Sequence, residues 1–533
     1  MLFICLLIVS SHQVKEINDN IFSDSKCKIS ITIPKSAELI EENEFKNCKM
    51  LESVNFSNES LVKCIGKCGF YNCIKLESIA IPNSVKSIGE YAFHHCEKLK
   101  SVIFLNEPLV EYFGKWVFSD CFCLESFTIP KSVRKIEEHA FFCCAKLKSL
   151  IFSNESLMEN IGNSTFSDCY SLKSITIPKS IKSIKDFAFY QCKNLKSIII
   201  SNESLVEYIG KNAFSECASL KSITIPKSVR KIEEKAFHNC EKLKSVIFSN
   251  EFLIGNIDKW AFSECISLES ITIPKFVKSI EEYAFHKCKK LKSIIFSNES
   301  LVKYIGKGAF SECINLELIT IPKSLRKIEE KAFQHCEKLK SVIFSNESLM
   351  EYIGNETFFN CIRLKSFSIP KSVKSIGKNT FYHCEKLKSI IFSNESLVEY
   401  IGNNSFSYCI CLKSIIIPKY IRKIEEKTFD HCKKLKLVIF LNVSLIEDIG
   451  KEAFSDCICL KSVIIPKNIY NIEDLAFHQC YKLNNFTYLG NKEPQISKDS
   501  FFGCRNLKGI YVTESYENNY FGGIKVKIIN SRI

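Results

Sequence analysis

The chain has 533 residues, of which 46% are apolar and 25% charged, a globular balance that excludes a disordered chain. Its net charge of +14 comes from 73 basic residues interleaved with 59 acidic ones. The pI of 8.7 stays below the value above about 9 that marks a nucleic-acid-binding domain. No stretch after the first residues approaches the roughly 18 consecutive apolar residues of a membrane-spanning helix.

The chain opens with "MLFICLLIVSSHQ", in which Leu2 to Val9 form an apolar run and Val9 and Ser11 suit a cleavage site. No Lys or Arg precedes the run. Residues 1–11 read as a secretory signal peptide, the alternatives being a buried first strand or an imperfect gene start. Residues 12–26 then form an N-terminal cap.

From residue 27 to residue 504 one sentence is repeated, which overrides the several domains that length alone suggests. Pro34, Pro82, Pro130, Pro178, Pro226, Pro274, Pro322, Pro370, Pro418 and Pro466 stand 48 residues apart. Cysteines from Cys48 to Cys480 divide that period alternately into 25 and 23 residues, and Cys504 closes the series. Two coil types therefore alternate, about twenty coils in all.

The first type is "LKSITIPKSVRKIEEKAFHNC" at 220–240, and the second is "LKSIIFSNESLVEYIGNNSFSYC" at 387–409. In both, apolar and polar residues alternate with period two, so each coil begins with a strand that points Leu220, Ile223 and Ile225 inward and Ser222 and Thr224 outward. Pro226 cannot donate to a ladder and ends the strand. Ile232, Ala236, Phe237 and Cys240 then recur on one face of a short helical segment. At the same bend the second type carries Gly, as at Gly66, Gly114, Gly162 and Gly210, which suits a left-handed turn. One coil cannot bury its Phe, Ile and Leu alone, but stacked coils can.

The L-x-x-I-x-I-P…I-x-x-x-A-F-x-x-C signature over about 27–504 resembles the leucine-rich repeats of BspA-like surface antigens. The resemblance implies an α/β repeat solenoid, a curved right-handed superhelix with parallel strands on its concave face. It further implies a secreted or surface location and roles in adhesion or host-protein binding. Residues 505–533, ending "IYVTESYENNYFGGIKVKII", look like the family's C-terminal cap.

Twenty of the 28 cysteines occupy one repeat position and read as buried ladder thiols. Cys5, Cys27, Cys64, Cys68, Cys123, Cys143, Cys411 and Cys459 fall outside it, and a disulfide or two among them is left open. The histidines of "AFHHC", "AFHNC" and "AFQHC" lie two coils apart, about 10 Å, too far for one metal ion to bridge. They read as a solvated convex row. Glu pairs such as Glu233–Glu234 recur identically and so lack the two distinct environments an acid–base pair needs. No catalytic residue, cofactor or metal ligand is assigned, and the chain reads as non-enzymatic.

Lysines after the prolines, such as Lys179, Lys275 and Lys323, could track phosphates. Acidic residues at the same edge of the intervening coils suit ion pairing instead, so nucleic acid is not read as a partner. The "SNES" turns offer N-glycan acceptors at Asn58, Asn154, Asn202, Asn298, Asn346 and Asn394. Outward strand positions carry Thr128, Thr176, Thr224, Thr272 and Thr320 in one coil type. In the other they carry Ile151, Ile199, Ile247, Ile295 and Ile343. This apolar stripe bordered by hydroxyls is the candidate binding surface for a protein or glycan, or for a second copy of the chain. The function read from the sequence is an adhesin-like binding scaffold, secreted or at a cell surface. The alternative is an intracellular interaction scaffold in the cytoplasm, should the first eleven residues not be a signal.

Overall fold

The computed structural model describes residues 7–8 and 29–529, except 154, 250–252, 346 and 442. Most of the segment read as signal peptide, all of the N-terminal cap 12–26, and Cys5 and Cys27 lie outside the described residues. Leu7–Ile8 form a short strand parallel to Ile31–Thr32. The chain divides into two compact units, Met1–Ser267 and Leu268–Ile533. Both repeat the same coil pair, giving about 21 turns.

Each coil contributes a four-residue strand and a two-residue strand to parallel ladders. Ser222–Ile225 pairs in register with Ser245–Phe248 of the next coil, setting Ile223 against Val246 and Thr224 against Ile247. Ile223 and Ile225 are buried while Ser222 is exposed, so the period-two pattern sorts the residues as their spacing requires. Lys231–Ile232 continues the second ladder beside Tyr208–Ile209.

The expected short helix is absent, and no helix occurs among the described residues. Residues 233–240 form consecutive turns in which Lys235 (φ 58°) and Asn239 (φ 55°) are left-handed. A helix sends every N–H back along its own chain. Here every second N–H leaves for the next coil: Lys235 to the Lys259 carbonyl at 3.0 Å, Phe237 to Ala261 at 2.9 Å, and Asn239 to Ser263 at 2.8 Å. The N–H groups between them close local turns, Ala236 to Glu233 at 3.2 Å and His238 to Lys235 at 3.0 Å. The segment acts as a third ladder. Left-handed non-glycine residues cost roughly 1–2 kcal/mol each, and inter-coil hydrogen bonds of about 1 kcal/mol apiece offset part of that.

The bend glycines are also not left-handed. At most of these bends the coils approach too closely for a side chain, although Gly162 has more room and Asp258 fills the same place in one coil. A Cβ on Gly210 would stand 2.6 Å from the backbone nitrogen of Asp186, and one on Gly114 would stand 2.5 Å from that of Glu90. Close backbone approach, not a turn conformation, selects Gly here.

The core of each unit is a ring stack. Phe189, Phe214, Phe237 and Phe262 are fully buried, with successive centroids 5.3–5.4 Å apart and nearly parallel planes. In the second unit Phe285, Phe310, Phe333 and Phe358 repeat the stack at 5.2–5.5 Å. Burying one such ring stabilises by about 1.5–3 kcal/mol, and stacking adds about 0.5–1.5. At the far end, Tyr520–Phe521 turns through Gly522 (φ 55°) and Gly523 (φ 77°) into Ile524–Ile528. That antiparallel hairpin sets Phe521 fully buried over the last parallel strands.

Candidate binding face

The four-residue strands bring the sequence-derived residues into one row within each unit. Register pairs Thr128 with Ile151, Thr176 with Ile199, Thr224 with Ile247, Thr272 with Ile295 and Thr320 with Ile343. The isoleucines are 47–54% exposed although the residue before each, from Leu150 to Val342, is buried. Period two leaves them no other face, and no loop among the described residues covers them.

Shallow grooves run beside this row. One of about 820 Å³ in the first unit lies between Ile151, Thr176, Ile199, Glu155 and Lys179. A second, of about 460 Å³, is framed in the other unit by Ile295, Thr320, Glu299 and Lys323. Lysine–glutamate pairs recur along the same edge of the strands, and Lys179, Glu299 and Lys323 of the grooves belong to them. Lys35 reaches Glu59 at 2.6 Å and Lys275 reaches Glu299 at 2.6 Å, while Lys179–Glu203 and Lys323–Glu347 pair likewise. The hydrogen bond from Lys179 holds the Glu203 carboxyl below its ordinary value. Exposed pairs of this kind contribute little to stability, but they neutralise an edge that would otherwise present a lysine ladder. The face thus offers apolar contact edged by hydroxyls and small paired charges, a surface suited to peptide backbone or to sugar rings.

Asn58, Asn202, Asn298 and Asn394 are exposed on the turns that follow these strands, whereas Asn154 and Asn346 lie outside the described residues. The pattern N-x-[ST] also occurs at Asn55, Asn163, Asn355, Asn403, Asn442 and Asn485, which the sequence reading passed over. At Asn163, Asn355 and Asn403 the hydroxyl residue is buried, Thr357 donating to the Gly354 carbonyl at 2.7 Å.

Sequence reasoning missed two further features. Leu61, Leu109, Leu157 and Leu205 form a second apolar row, 48–52% exposed, which the 48-residue period of "ESL" could have shown. The histidines, read as solvated, are half-buried: the side chains of His94 and His286 are 12% and 13% exposed. They stack on neighbouring rings, His139 on Trp116 at 4.0 Å and His431 on Tyr408 at 4.4 Å. Burial, chiefly, holds His94, His139 and His238 below the ordinary imidazole value.

All cysteines among the described residues are free. The ladder thiols are buried apart from half-buried Cys504, while Cys64, Cys123, Cys143, Cys411 and Cys459 are half-buried outside the ladder. No helix among the described residues is long and apolar enough to cross a membrane.

Parallel short strands, stacked phenylalanines and a cysteine rung in every coil define a leucine-rich-repeat solenoid. The pattern described as "BspA type Leucine rich repeat region (6 copies)" matches residues 15–148, 111–244, 207–340, 303–436 and 399–527. The chain belongs to the BspA-type leucine-rich-repeat family. Among curated proteins nothing matches it. Among solved structures, a leucine-rich repeat protein from Bacteroides ovatus is 25% identical, with 88% of each chain covered and a TM-score of 0.37. A leucine rich cell surface protein from Faecalibacterium prausnitzii is 21% identical, over 85% of this chain and 83% of its own, at a TM-score of 0.22. The pneumococcal vaccine antigen PcpA is 19% identical over 91% of this chain and 74% of its own, at a TM-score of 0.21.

Proposed function

We propose that this chain is a non-enzymatic, adhesin-like binding scaffold, secreted or at a cell surface, that recognises proteins or glycans through its four-residue strands. The observation that supports this reading is the row of half-exposed isoleucines, in register with threonines and repeated on every second strand. Soluble proteins rarely leave a contiguous apolar patch larger than a few hundred Å² uncovered unless something binds there. Identical contacts recur every second coil, about 10 Å apart, so many weak contacts on one partner act together. The family's right-handed curvature would make this the concave face, and self-association would use the same row. Residues 505–533 act as the C-terminal cap in this reading.

The test is replacement of Ile199, Ile247 and Ile295 by Ser, with binding measured against partners captured by the wild-type solenoid. Binding should fall at least tenfold with folding nearly intact. His238→Ala with His286→Ala should change it little, and the reverse pattern would reject this face.

A second reading is an intracellular interaction scaffold, in which Leu7–Ile8 stays on the chain and pairs with Ile31–Thr32. Sequencing the mature N-terminus and mapping glycans at Asn58, Asn202, Asn298 and Asn394 separates the two. An N-terminus after Ser11 with sugars present supports secretion, and an intact one without sugars supports the cytoplasm.

A further inference from the structure

The residue just before each ladder cysteine is left-handed, and its N–H bonds to the next coil. His95 donates to the Ser119 carbonyl at 3.0 Å and Asp120 to Phe142 at 2.9 Å. His431 donates to Ser455 at 2.9 Å and Asp456 to His478 at 2.8 Å. Side chains at this rung are therefore held on fixed backbone, one strand spacing apart. In most coil pairs the rung holds amides, acids or rings, as in Gln191–Glu216, Asn239–Glu264 and His383–Tyr408. At His95–Asp120 and at His431–Asp456 it sets an imidazole beside a carboxylate.

Each of these two rungs has a third donor on the preceding residue. The candidate ligand atoms of His94, His95 and Asp120 all lie within 4.8 Å of one another, and so do those of Asp430, His431 and Asp456. Among the described residues no other group of three does so. An ion of the zinc type holds nitrogen and oxygen donors at about 2.0–2.2 Å, so its donors stand about 3–4 Å apart. Small rotamer changes close the difference.

The second cluster is further organised for a cation. Asp430, only 6% exposed, stands with its Oδ1 2.8 Å from His431 Nδ1. His431 Nε2 then faces Asp456 Oδ2 at 4.0 Å, and His478 Nδ1 faces the same oxygen at 4.0 Å. The Nδ1 atoms of His94 and His478 also meet the Ser119 carbonyl at 3.2 Å and Ser455 Oγ at 3.4 Å. In the first cluster His94 Nδ1 stands 3.5 Å from Asp120 Oδ2, and its ring lies 4.1 Å from that of His95.

We propose that these two rungs, His94–His95–Asp120 and Asp430–His431–Asp456, are binding sites for a divalent transition-metal ion. Imidazole with carboxylate selects an ion such as Zn²⁺, Co²⁺ or Ni²⁺ over Mg²⁺, which prefers all-oxygen donors. The sites reconcile with the wide histidine spacing because the second ligand comes from the adjacent coil, not from the next histidine.

The test is titration of the untagged full-length chain with Co²⁺, followed by visible absorbance and calorimetry. Two equivalents should bind, with the ligand-field bands of nitrogen and oxygen donors and no thiolate charge-transfer band. Asp120→Asn and Asp456→Asn should each remove one equivalent, the double variant both, and Glu216→Gln neither. Asn occupies the same rung natively at Asn72, Asn239 and Asn360, so these variants keep the backbone; unchanged hydrogen exchange at neighbouring coils verifies it. A stoichiometry indifferent to both Asp variants, a thiolate band, or equal binding of Mg²⁺ would overturn the proposal.

Discussion

The thiol of Cys240 donates to the main-chain carbonyl of Phe214 in the preceding coil at 3.2 Å. The same bond joins Cys217 to Phe189 at 3.3 Å and Cys336 to Phe310 at 3.3 Å. The Phe214 carbonyl also accepts from the Cys217 N–H at 3.3 Å, and the small thiol fills its second lone pair without adding bulk. These cysteines are thus part of the hydrogen-bonded core and not a store of disulfides.

Thiol labelling should show this directly. In the native protein a thiol reagent should reach only the half-buried cysteines, Cys504 at the end of the ladder and Cys64, Cys123, Cys143, Cys411 and Cys459 outside it, with Cys143, whose thiol burial pushes up to about 11, reacting slowly. Denaturation should expose the ladder set as well. Rapid native labelling of Cys192, Cys240 or Cys288 would show that the ladder is open.

Phe237→Ala removes a ring stacked between Phe214 and Phe262 at 5.4 and 5.3 Å. It should destabilise by about 3–5 kcal/mol. Because each coil touches chiefly its neighbours, hydrogen exchange should rise around residues 210–265 and stay unchanged in distant coils. A uniform rise along the chain would mean that the repeats do not act as separable units.

These contacts were only partly legible in the sequence. The proline and cysteine periods displayed the coils, and strict alternation through Leu220, Ile223 and Ile225 was enough to place Thr224 beside an exposed Ile247. The turn segment was not legible, because Ile232, Ala236, Phe237 and Cys240 have the spacing of a helix face. What breaks the helix is the left-handed backbone at Lys235 and Asn239, residues with no intrinsic signature for it, held there by bonds to Lys259 and Ser263. The same inter-coil contacts explain the glycines, whose role is visible only once Gly210 is seen against Asp186. Pairing of His431 with Asp456 escaped notice because the histidines were compared with one another and not with the adjacent coil.

Gly210→Ala should separate close packing from turn conformation. Its Cβ would meet the backbone of Lys185 and Asp186 at 2.6 Å, so the two coils must part. A loss of about 1–3 kcal/mol is expected, as for other overpacked sites, with faster exchange at the N–H of Gly210, bonded to the Ile184 carbonyl at 2.8 Å. Gly255→Ala, where a Cβ meets nothing within 4 Å, is the control and should be nearly neutral. Equal effects at both sites would refute the packing explanation.

Alkaline pH should weaken the fold through the thiol ladder. Burial pushes the thiols of Cys217 and Cys240 well above their ordinary value, whereas in the unfolded chain they ionise near about 8.5. A folded value raised above the unfolded one means the contribution to stability is complete below about pH 8.5 and is lost as pH climbs toward the folded value. At pH 10 the loss is roughly 2 kcal/mol per buried thiol. Tyr208, held up at about 12 by burial and then by Asp186, adds its own alkaline loss, so absolute stability alone does not isolate the cysteines. The informative comparison is wild type against Cys217→Ala/Cys240→Ala in urea at pH 7.5 and pH 10. The variant should begin less stable, having lost two carbonyl partners, and should then lose less between the two pH values. An identical loss in the two proteins would show that the ladder thiols already ionise freely in the folded chain.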